Sequence, residues 1–318
     1  MSKPSAHLSV VIPFYNEVEN IAPLFDRLLP ILNSVSQSWE VICVDDGSSD
    51  ETHAALLKQR TSESRVRILK LSRNFGKEAA VSAGLQAASG ESVLLMDGDL
   101  QHPPETLKEM LEVQASGIDV VYGLRRSRRT EGRLRSALSS AFYHMFSGAS
   151  DVRIPADAGD FRLMSRRVVE ALNALPEQKR FMKGLYAWVG FSQQAVLYDV
   201  EERRAGKSKW SISQLFGYAW NGVVSFSAAP LRMWSVIGIC IAALAVAYAL
   251  WVIVETLVYG RDVPGYATLV VAIFFLGGLQ LLSIGVLGEY IARIFAETKQ
   301  RPLFIIEEKS GFEAEPDE

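Results

Sequence analysis

Residues 8–13 read Leu-Ser-Val-Val-Ile-Pro, a short apolar run that is rich in β-branched side chains. Similar runs recur at residues 39–44 and 92–96, and helical patterns at residues 20–32 and 52–59 follow the first and second runs. Nearly continuous apolar strands separated by helices are typical of a parallel sheet that is covered on both faces. The sequence therefore predicts an α/β domain whose ligands bind at the carboxyl ends of the strands.

Polar motifs follow the first two runs, at the points where strands give way to helices. They read Pro-Phe-Tyr-Asn-Glu at residues 13–17 and Asp-Asp-Gly-Ser-Ser-Asp-Glu-Thr at residues 45–52. Turn chemistry explains both, because Asp and Ser cap helices and Gly47 permits a positive φ. A carboxylate pair at the binding edge of a sheet can equally accept hydrogen bonds from a ribose or a uracil imide. Both interpretations stay open on these residues alone.

A third loop, Arg-Asn-Phe-Gly-Lys-Glu at residues 73–78, precedes the small residues of 79–84. Lys77 can neutralise a diphosphate, and Gly76 lets the backbone approach a ligand closely. Neither a GxxxxGK[ST] loop nor a GxGxxG motif occurs in the chain. This disfavours a P-loop NTPase and a dinucleotide-dependent dehydrogenase.

The run at residues 92–96 ends in Asp97-Gly98-Asp99-Leu100-Gln101. Asp-Gly is also a common turn, so the triplet alone is a weak signal. Its place directly after a predicted buried strand makes a ligand site the better interpretation. Hard oxygen ligands suit Mg²⁺ or Mn²⁺, which keep open positions for substrate phosphates. Such an ion neutralises the charge that grows on a departing nucleoside diphosphate.

Two long uncharged runs, residues 233–254 and 263–288, lie near the C-terminus. Each forms a helix of at least about 30 Å, enough to span a bilayer. Two buried helices of a soluble core are the alternative, but core helices that are apolar all round are rarely this long. Basic residues flank the outer ends of both runs, so the positive-inside rule places both termini and the soluble domain in the cytoplasm.

Bulk charge excludes a general binder of polyanions, because 33 Lys and Arg face 36 Asp and Glu, a net charge of −3. No nucleic-acid partner is expected. Positive charge is instead concentrated locally, because six arginines lie within residues 125–135. They are Arg125, Arg126, Arg128, Arg129, Arg133 and Arg135. Arginine's planar fork suits a phosphate, although a solvated basic face or a patch attracted to anionic lipid explains part of the cluster equally well.

Seven motifs in order resemble glycosyltransferase family 2, and specifically its polyprenyl-phosphate branch, which includes the dolichyl-phosphate mannose synthases. Within that branch the chain is most similar to the bactoprenol glucosyltransferases. The resemblance covers about residues 8 to 300. The motifs are Val-Ile-Pro-Phe-Tyr-Asn-Glu (11–17), Val-Asp-Asp-Gly-Ser-Ser-Asp-Glu-Thr (44–52), Arg-Asn-Phe-Gly-Lys-Glu (73–78), Asp-Gly-Asp-Leu-Gln (97–101), Gly-Asp-Phe-Arg-Leu-Met-Ser-Arg (159–166), Phe-Met-Lys-Gly (181–184) and Arg-Arg-Ala-Gly-Lys-Ser-Lys-Trp (203–210).

The resemblance implies a family A, Rossmann-like glycosyltransferase domain and a set of site residues. The implied metal ligands for Mg²⁺ or Mn²⁺ are Asp97, Asp99 and Gln101. The implied residues around the UDP-sugar are Pro13, Tyr15, Glu17, Asp45, Asp46, Lys77, Asp97 and Gly98. Asp99, Asp157 and Asp160 are the implied catalytic residues, and Asp157 matches a position that relatives use as a base. The implied ligands of the acceptor phosphate are Arg125, Arg135, Ser139, Arg203, Ser208 and Lys209.

The expected organisation is a cytoplasmic glycosyltransferase domain at 1–209, an interfacial amphipathic helix at 210–230, two transmembrane helices at 231–292 and a cytoplasmic tail at 293–318. The expected location is the inner (plasma) membrane. Glycines 277, 278, 285 and 288 in the second span allow close helix packing, so a homo-oligomer is expected. The tail after Glu307 is acidic and lacks an apolar pattern, so disorder is expected there.

The resemblance implies transfer of glucose from UDP-glucose to a polyprenyl phosphate, with inversion at the sugar. GDP-mannose and UDP-GlcNAc remain alternative donors, because a few side chains distinguish these sugars and cannot be recognised in one sequence. A processive polysaccharide synthase is disfavoured, since it needs more membrane helices and a Gln-x-x-Arg-Trp motif. A non-enzymatic membrane scaffold is the alternative from another class, and the intact acidic motifs argue against it.

Overall fold

The computed structural model describes residues 7–126, 159–178, 180–199, 229–259 and 265–312. The strands are β1 (Leu8–Phe14), β2 (Trp39–Asp45), β3 (Val66–Leu71), β4 (Ser92–Leu95), β5 (Val120–Arg125), β6 (Arg162–Ser165), β7 (Gln193–Tyr198) and β8 (Ile306–Ser310). The helices are α1 (Val18–Val35), α2 (Thr52–Ser62), α3 (Lys77–Ala87), α4 (Thr106–Ala115), α5 (Arg166–Ala174), α6 (Met182–Trp188), α7 (Ala229–Tyr259) and α8 (Tyr266–Thr298).

The strands form one mixed sheet in the order β7-β5-β6-β4-β1-β2-β3-β8. Its centre, β4-β1-β2-β3, is parallel, as the apolar runs predict. The flanks differ from the prediction of a parallel sheet, because β6 runs antiparallel to both β4 and β5, and β8 runs antiparallel to β3. Sequence analysis also missed β3, whose apolar positions alternate with the polar Arg67 and Lys70, so the strand before Asp97 is the fourth and not the third.

Two apolar layers cover the sheet. In β1, Val10 and Ile12 pack into one layer and Val11 into the other, and all three are fully buried. Gly84 of α3 packs so closely on the sheet that a Cβ there would lie 2.3 Å from Cγ1 of Val11. The small residues at 79–84 therefore let α3 approach the sheet, which brings its first residue, Lys77, to the carboxyl edge.

The predicted disorder after Glu307 is wrong for β8. This strand pairs with β3 from Ile306 to Ser310, and Phe304, Ile306 and Phe312 pack against one of the apolar layers. The charged side chains that suggested disorder alternate with these contacts along an edge strand, where charge is common. The segment after α8 therefore returns to the sheet.

Truncation after Arg301 removes β8, and we expect it to lower the thermal unfolding temperature of the purified protein in detergent. Partial burial of Phe304, Ile306 and Phe312 contributes about 1 kcal/mol for each side chain, and the edge of β3 loses its hydrogen-bonding partner. Truncation after Phe312 keeps β8 and is the matched control. Equal unfolding temperatures for the two truncations would show that β8 does not stabilise the domain.

The C-terminal helices are long: α7 has 31 residues and α8 has 33. Residues Val271–Thr298 of α8 are long and apolar enough to cross a membrane, and α7 contains a shorter apolar segment, Val236–Val252. Most described side chains of both helices are exposed within the monomer. Two spans therefore remain a prediction. The predicted interfacial helix at 210–230 lies outside the described residues apart from the first two residues of α7.

Candidate active site

The sheet register brings three loops together at one edge. In the parallel pairs Phe14 lies opposite Asp45, and Val11 lies opposite Leu95, two residues before Asp97. Because β6 is antiparallel to β4, it begins where β4 ends, with Arg162 opposite Leu95. The residues just before β6 therefore join the carboxyl ends of the parallel strands.

Lys77 is the centre of this edge. Its Nζ lies 2.6 Å from Oδ1 of Asp97 and 2.7 Å from Oδ2 of Asp160. Burial alone would lower the pKa of Lys77, but Asp160 and Asp97 raise it well above its usual value. The Lys77 side chain as a whole is 42% exposed.

Asp160 is held in its ionised form. Burial would raise its pKa, but Lys77 and then Lys183 act on it and lower the pKa. Lys183 lies in α6, inside the Phe-Met-Lys-Gly motif, and sequence analysis did not assign it to the site. Arg162 is 1% exposed and lies 4.4 Å above the ring of Tyr186. The site thus combines carboxylates with several cations and carries little excess charge.

The Asp97-Gly98-Asp99 turn fits tightly against β1. A Cβ at Gly98 would lie 2.5 Å from the ring of Phe14, so a side chain has no room there. The backbone N–H of Gln101 donates to Oδ1 of Asp99 at 3.1 Å, and Leu100 adopts a φ of 63°. This tight turn fixes Asp97 beside Lys77.

His102 holds the Asp97-Gly98-Asp99 turn through a hydrogen bond, and sequence analysis missed this residue. Its Nδ1 accepts the backbone N–H of Asp97 at 3.2 Å, so that nitrogen carries no proton. The imidazole is 4% exposed and stacks on Phe161 at 4.9 Å with its edge toward Tyr198 at 5.8 Å. Burial lowers the pKa of His102. The signal that could have identified His102 is its position directly after the acidic motif at residues 97–101.

We expect His102→Phe to keep the ring stacking but to lower turnover about tenfold, because the buried N–H of Asp97 loses its acceptor at a cost of about 1–3 kcal/mol. His102→Asn restores a short acceptor and should recover part of the rate. The measurement is kcat for sugar transfer, with the unfolding temperature of each variant as a check on folding. Equal rates for the wild-type protein and His102→Phe would remove His102 from the positioning of Asp97.

Asp45 and Asp46, the acidic pair at the end of β2, make different contacts. Both oxygens of Asp46 accept backbone N–H groups, from Phe75 at 2.7 Å and from Gly76 at 2.9 Å. Burial raises the pKa of Asp46, opposed by these two hydrogen bonds. Asp46 thus ties the β2 loop to the segment that carries Lys77. Asp45 is fully buried, and its Oδ1 accepts the N–H of Ser48 at 2.9 Å.

The loop after β1 is joined to the loop after β2. Asn16 donates its N–H to Oγ of Ser48 at 3.0 Å, and Glu17 donates its N–H to Oγ1 of Thr52 at 3.0 Å. Tyr15 is 38% exposed, which leaves its ring open to a ligand. Pro13 lies within β1 opposite Val44. The turn chemistry and the ligand interpretation of these motifs are therefore both compatible with the fold.

Arg125 ends β5 and hydrogen-bonds to the hydroxyl of Tyr198. It lies at the same edge as the acidic turn, since Tyr198 contacts His102. The other predicted acceptor ligands and the predicted base lie outside the described residues. They are Arg135, Ser139, Asp157, Arg203, Ser208 and Lys209. Their roles remain predictions.

The described residues fit a divalent cation only in part. No group of three or more His, Cys, Asp or Glu side chains is arranged for a metal within the described part of the chain. Asp97 and Asp160 nevertheless already hold a cation, the Lys77 ammonium, so the edge has the charge to attract one. Mg²⁺ sites of this kind use one or two carboxylates and complete their ligand set with substrate phosphates and water.

A family profile and curated relatives both match this chain to glycosyltransferases. The profile of Glycosyl transferase family 2 matches residues 9–172, and the GtrB C-terminal hairpin matches residues 229–294. An uncharacterised glycosyltransferase of Synechocystis sp. is 47% identical over 309 residues, covering 97% of this chain and 97% of that protein. The bactoprenol glucosyl transferase of Shigella phage SfV is 42% identical over 299 residues, covering 94% of this chain and 97% of that protein.

Among solved structures, glucosyl-3-phosphoglycerate synthase from Mycobacterium tuberculosis, in complex with Mn²⁺, UDP and glucosyl-3-phosphoglycerate, is similar at a TM-score of 0.47. It is 21% identical and the match covers 69% of this chain and 78% of that chain.

Proposed function

The chain belongs to glycosyltransferase family 2, and on that premise we propose that it transfers glucose from UDP-glucose to the phosphate of a polyprenyl phosphate such as undecaprenyl phosphate. Relatives named as bactoprenol glucosyl transferases at 42% identity support both the sugar and the lipid acceptor. The proposal rests on one observation. The same chain holds the charged cluster of Lys77, Asp97 and Asp160 and then continues into long apolar helices. A reaction between a soluble donor and a lipid acceptor needs both parts.

The chemistry is one in-line displacement. An oxygen of the lipid phosphate forms a bond to the anomeric carbon, the bond from that carbon to the UDP oxygen breaks, and UDP leaves with the electron pair. Lys77 would bind the diphosphate, because it is a cation at the carboxyl edge of the sheet and its side chain is partly exposed. A Mg²⁺ or Mn²⁺ ion, when bound at Asp97 and Asp99 with Gln101 nearby, would stabilise the negative charge on the leaving diphosphate.

The acceptor hardly needs a general base. A phosphate monoester has a second pKa of about 6, so it is largely dianionic at neutral pH and already nucleophilic. Asp157 would then position a sugar hydroxyl or accept residual proton density, rather than being an obligatory proton acceptor. Asp160 would line the acceptor side of the sugar, fixed by its contact with Lys77.

We expect Asp157→Asn to retain near-normal turnover between about pH 6 and pH 8, because the nucleophile is ionised without help over most of that range. The raised pKa of Lys77 and the lowered pKa of Asp160 keep both groups charged across this pH range, so neither group titrates within it. The measurement is kcat against pH for the variant and the wild-type protein. A large loss of kcat in Asp157→Asn that is steepest at low pH would assign it as the base.

The membrane arrangement belongs to the same proposal. Helices α7 and α8 would form two spans, with the glycosyltransferase domain and both termini in the cytoplasm at the inner membrane. A Cβ at Gly277, Gly278, Gly285 or Gly288 would meet no described atom within 4 Å. This open glycine surface is compatible with packing against a second copy, so a homo-oligomer is part of the proposal.

The test is transfer of radiolabelled sugar from UDP-glucose, UDP-GlcNAc and GDP-mannose to undecaprenyl phosphate, with Mn²⁺ or Mg²⁺ and with EDTA. We expect a metal-dependent, mild-acid-labile lipid product from UDP-glucose alone. Product from another donor would keep the reaction and overturn the choice of glucose. No product from any donor would overturn the proposal in favour of a membrane scaffold.

A further inference from the structure

His53 lies between the C-terminal strand and the end of β2. It is the second residue of α2, and its side chain is 20% exposed. Its Nδ1 lies 3.5 Å from Oδ2 of Asp45, and its Nε2 lies 3.3 Å from Oε2 of Glu308 in β8. An imidazole can present an N–H at either ring nitrogen, which suits a place between two carboxylates. The ring therefore connects two strands that are far apart in the chain.

The sheet register puts the two carboxylates on one face. Asp45 lies opposite Lys70 across β2 and β3, and Lys70 lies opposite Glu308 across β3 and β8. Side chains of directly opposed residues in neighbouring strands point to the same face of a sheet. Helix α2 packs against β2 and β3, so His53 can contact both carboxylates. Lys70 contributes a positive charge near both of them.

Asp45 connects His53 to the loop after β1. The Asp45 side chain is fully buried, and its Oδ1 accepts the N–H of Ser48 at 2.9 Å. Its Oδ2 accepts no hydrogen bond from any residue that the structure describes, and it faces Nδ1 of His53. Oγ of Ser48 accepts the N–H of Asn16 at 3.0 Å, next to the exposed ring of Tyr15. The orientation of the Asp45 carboxylate therefore affects where the Tyr15 loop lies.

We propose that His53 is a positioning residue for nucleotide binding, which fixes the Asp45 carboxylate and through it the loop that carries Tyr15. Glu308 holds the other side of the imidazole, so the strand that follows the long apolar helix α8 contributes to donor binding. This inference rests on the proposed function, because it takes the loops after β1 and β2 to bind the UDP part of the donor. His53 acts through Asp45 and not on the reacting atoms.

Two amide variants separate the two contacts of the imidazole. In His53→Asn the amide nitrogen takes the place of Nδ1, toward Asp45, and the side chain is too short for Glu308. In His53→Gln the amide nitrogen takes the place of Nε2, toward Glu308. His53→Phe keeps a planar ring and has neither nitrogen. Because Asp45 is the residue that His53 positions, the Asn variant should restore nucleotide binding and the Gln variant should not.

The experiment is calorimetric titration of UDP, with Mn²⁺ present, into the purified full-length protein in detergent, together with kcat and KM for UDP-glucose. His53→Phe should weaken UDP binding about tenfold and raise KM by a similar factor, with kcat changed less than about threefold, since contacting residues in one network couple by this much. His53→Asn should recover most of the affinity. The unfolding temperature of each variant checks its folding, and the Asn and Gln variants still decide the question if His53→Phe does not fold.

The C-terminal strand supplies a matched pair of variants. Glu308→Gln should weaken UDP binding about threefold, and the double variant with His53→Phe should bind no more weakly than His53→Phe alone, because Glu308 acts through the ring. Glu307→Gln is the same change one residue earlier, on a carboxylate that pairs with Lys70 at 2.9 Å. It should leave UDP affinity unchanged.

Several results would overturn the inference. Unchanged UDP affinity in folded His53→Phe would show that the imidazole does not position the loop. Equal affinities of His53→Asn and His53→Gln would show that contact with Asp45 is not the cause. Additive losses in the double variant would show that Glu308 does not act through His53. A wild-type protein that binds no UDP would overturn the proposed donor as well, which distinguishes that failure from the other three.

Discussion

Asp97→Asn is expected to lower kcat for sugar transfer by about 10²- to 10³-fold, the usual cost of losing a preorganised charge at a reacting centre. The variant is isosteric, so it keeps the shape of the turn beside Gly98. It removes the charge that pairs with Lys77 at 2.6 Å and that would bind the metal. Both effects weaken stabilisation of the leaving diphosphate. The measurement is kcat and KM for UDP-glucose at saturating Mn²⁺.

Asp26→Asn is the matched control, since Asp26 is an exposed residue of α1 and the change in charge is the same. It should keep both kinetic constants. A second readout, Mn²⁺ binding in the presence of UDP, should be lost in Asp97→Asn and kept in Asp26→Asn. A fully active Asp97→Asn protein would rule out any essential role of this carboxylate in the reaction.

Gly47→Ala is expected to give the largest loss of stability. Gly47 has a φ of +66°, and a Cβ there would lie 2.4 Å from the carbonyl carbon of Arg73 and 2.6 Å from the nitrogen of Asn74. The left-handed backbone costs about 1–2 kcal/mol for alanine, and the close contact with backbone adds about 1–3 kcal/mol. For a domain of this size the unfolding temperature should fall by about 5 °C or more.

The same change should weaken donor binding. The segment that it displaces runs from Arg73 to Lys77 and is held by Asp46 through the N–H groups of Phe75 and Gly76. Moving this segment moves Lys77, so KM for UDP-glucose should rise together with the loss of stability.

Gly117→Ala separates the cost of a positive φ from the cost of the close contact that a Cβ at Gly47 makes with residues 73–74. Gly117 has a φ of +97°, but a Cβ there would meet nothing within 4 Å. It should lower the unfolding temperature less than Gly47→Ala and leave KM unchanged. Equal effects of the two alanine variants would show that the close approach of Gly47 to residues 73–74 has no part in holding the loop.

The candidate site was predictable to the extent that its residues follow strands directly. Asp45 and Asp97 come at or just after the ends of buried apolar runs, and parallel strands place such residues at one edge. His102 and Lys183 were missed because their roles depend on contacts across the fold. His102 matters through the N–H of Asp97 and the ring of Phe161, and no local pattern announces such contacts.

Sequence by itself determined the apolar strands β1, β2 and β4, the acidic turn and the two long apolar C-terminal segments, because each is a local pattern of hydrophobicity or charge. Only the tertiary structure decided which distant residues meet. The antiparallel β6 begins at the edge where the parallel strands end, and this brings Asp160 to Lys77 and Asp97. In the same way, β8 pairs with β3 although its charges suggest disorder. Strand pairing depends on long-range register and burial, which single-residue propensities do not encode.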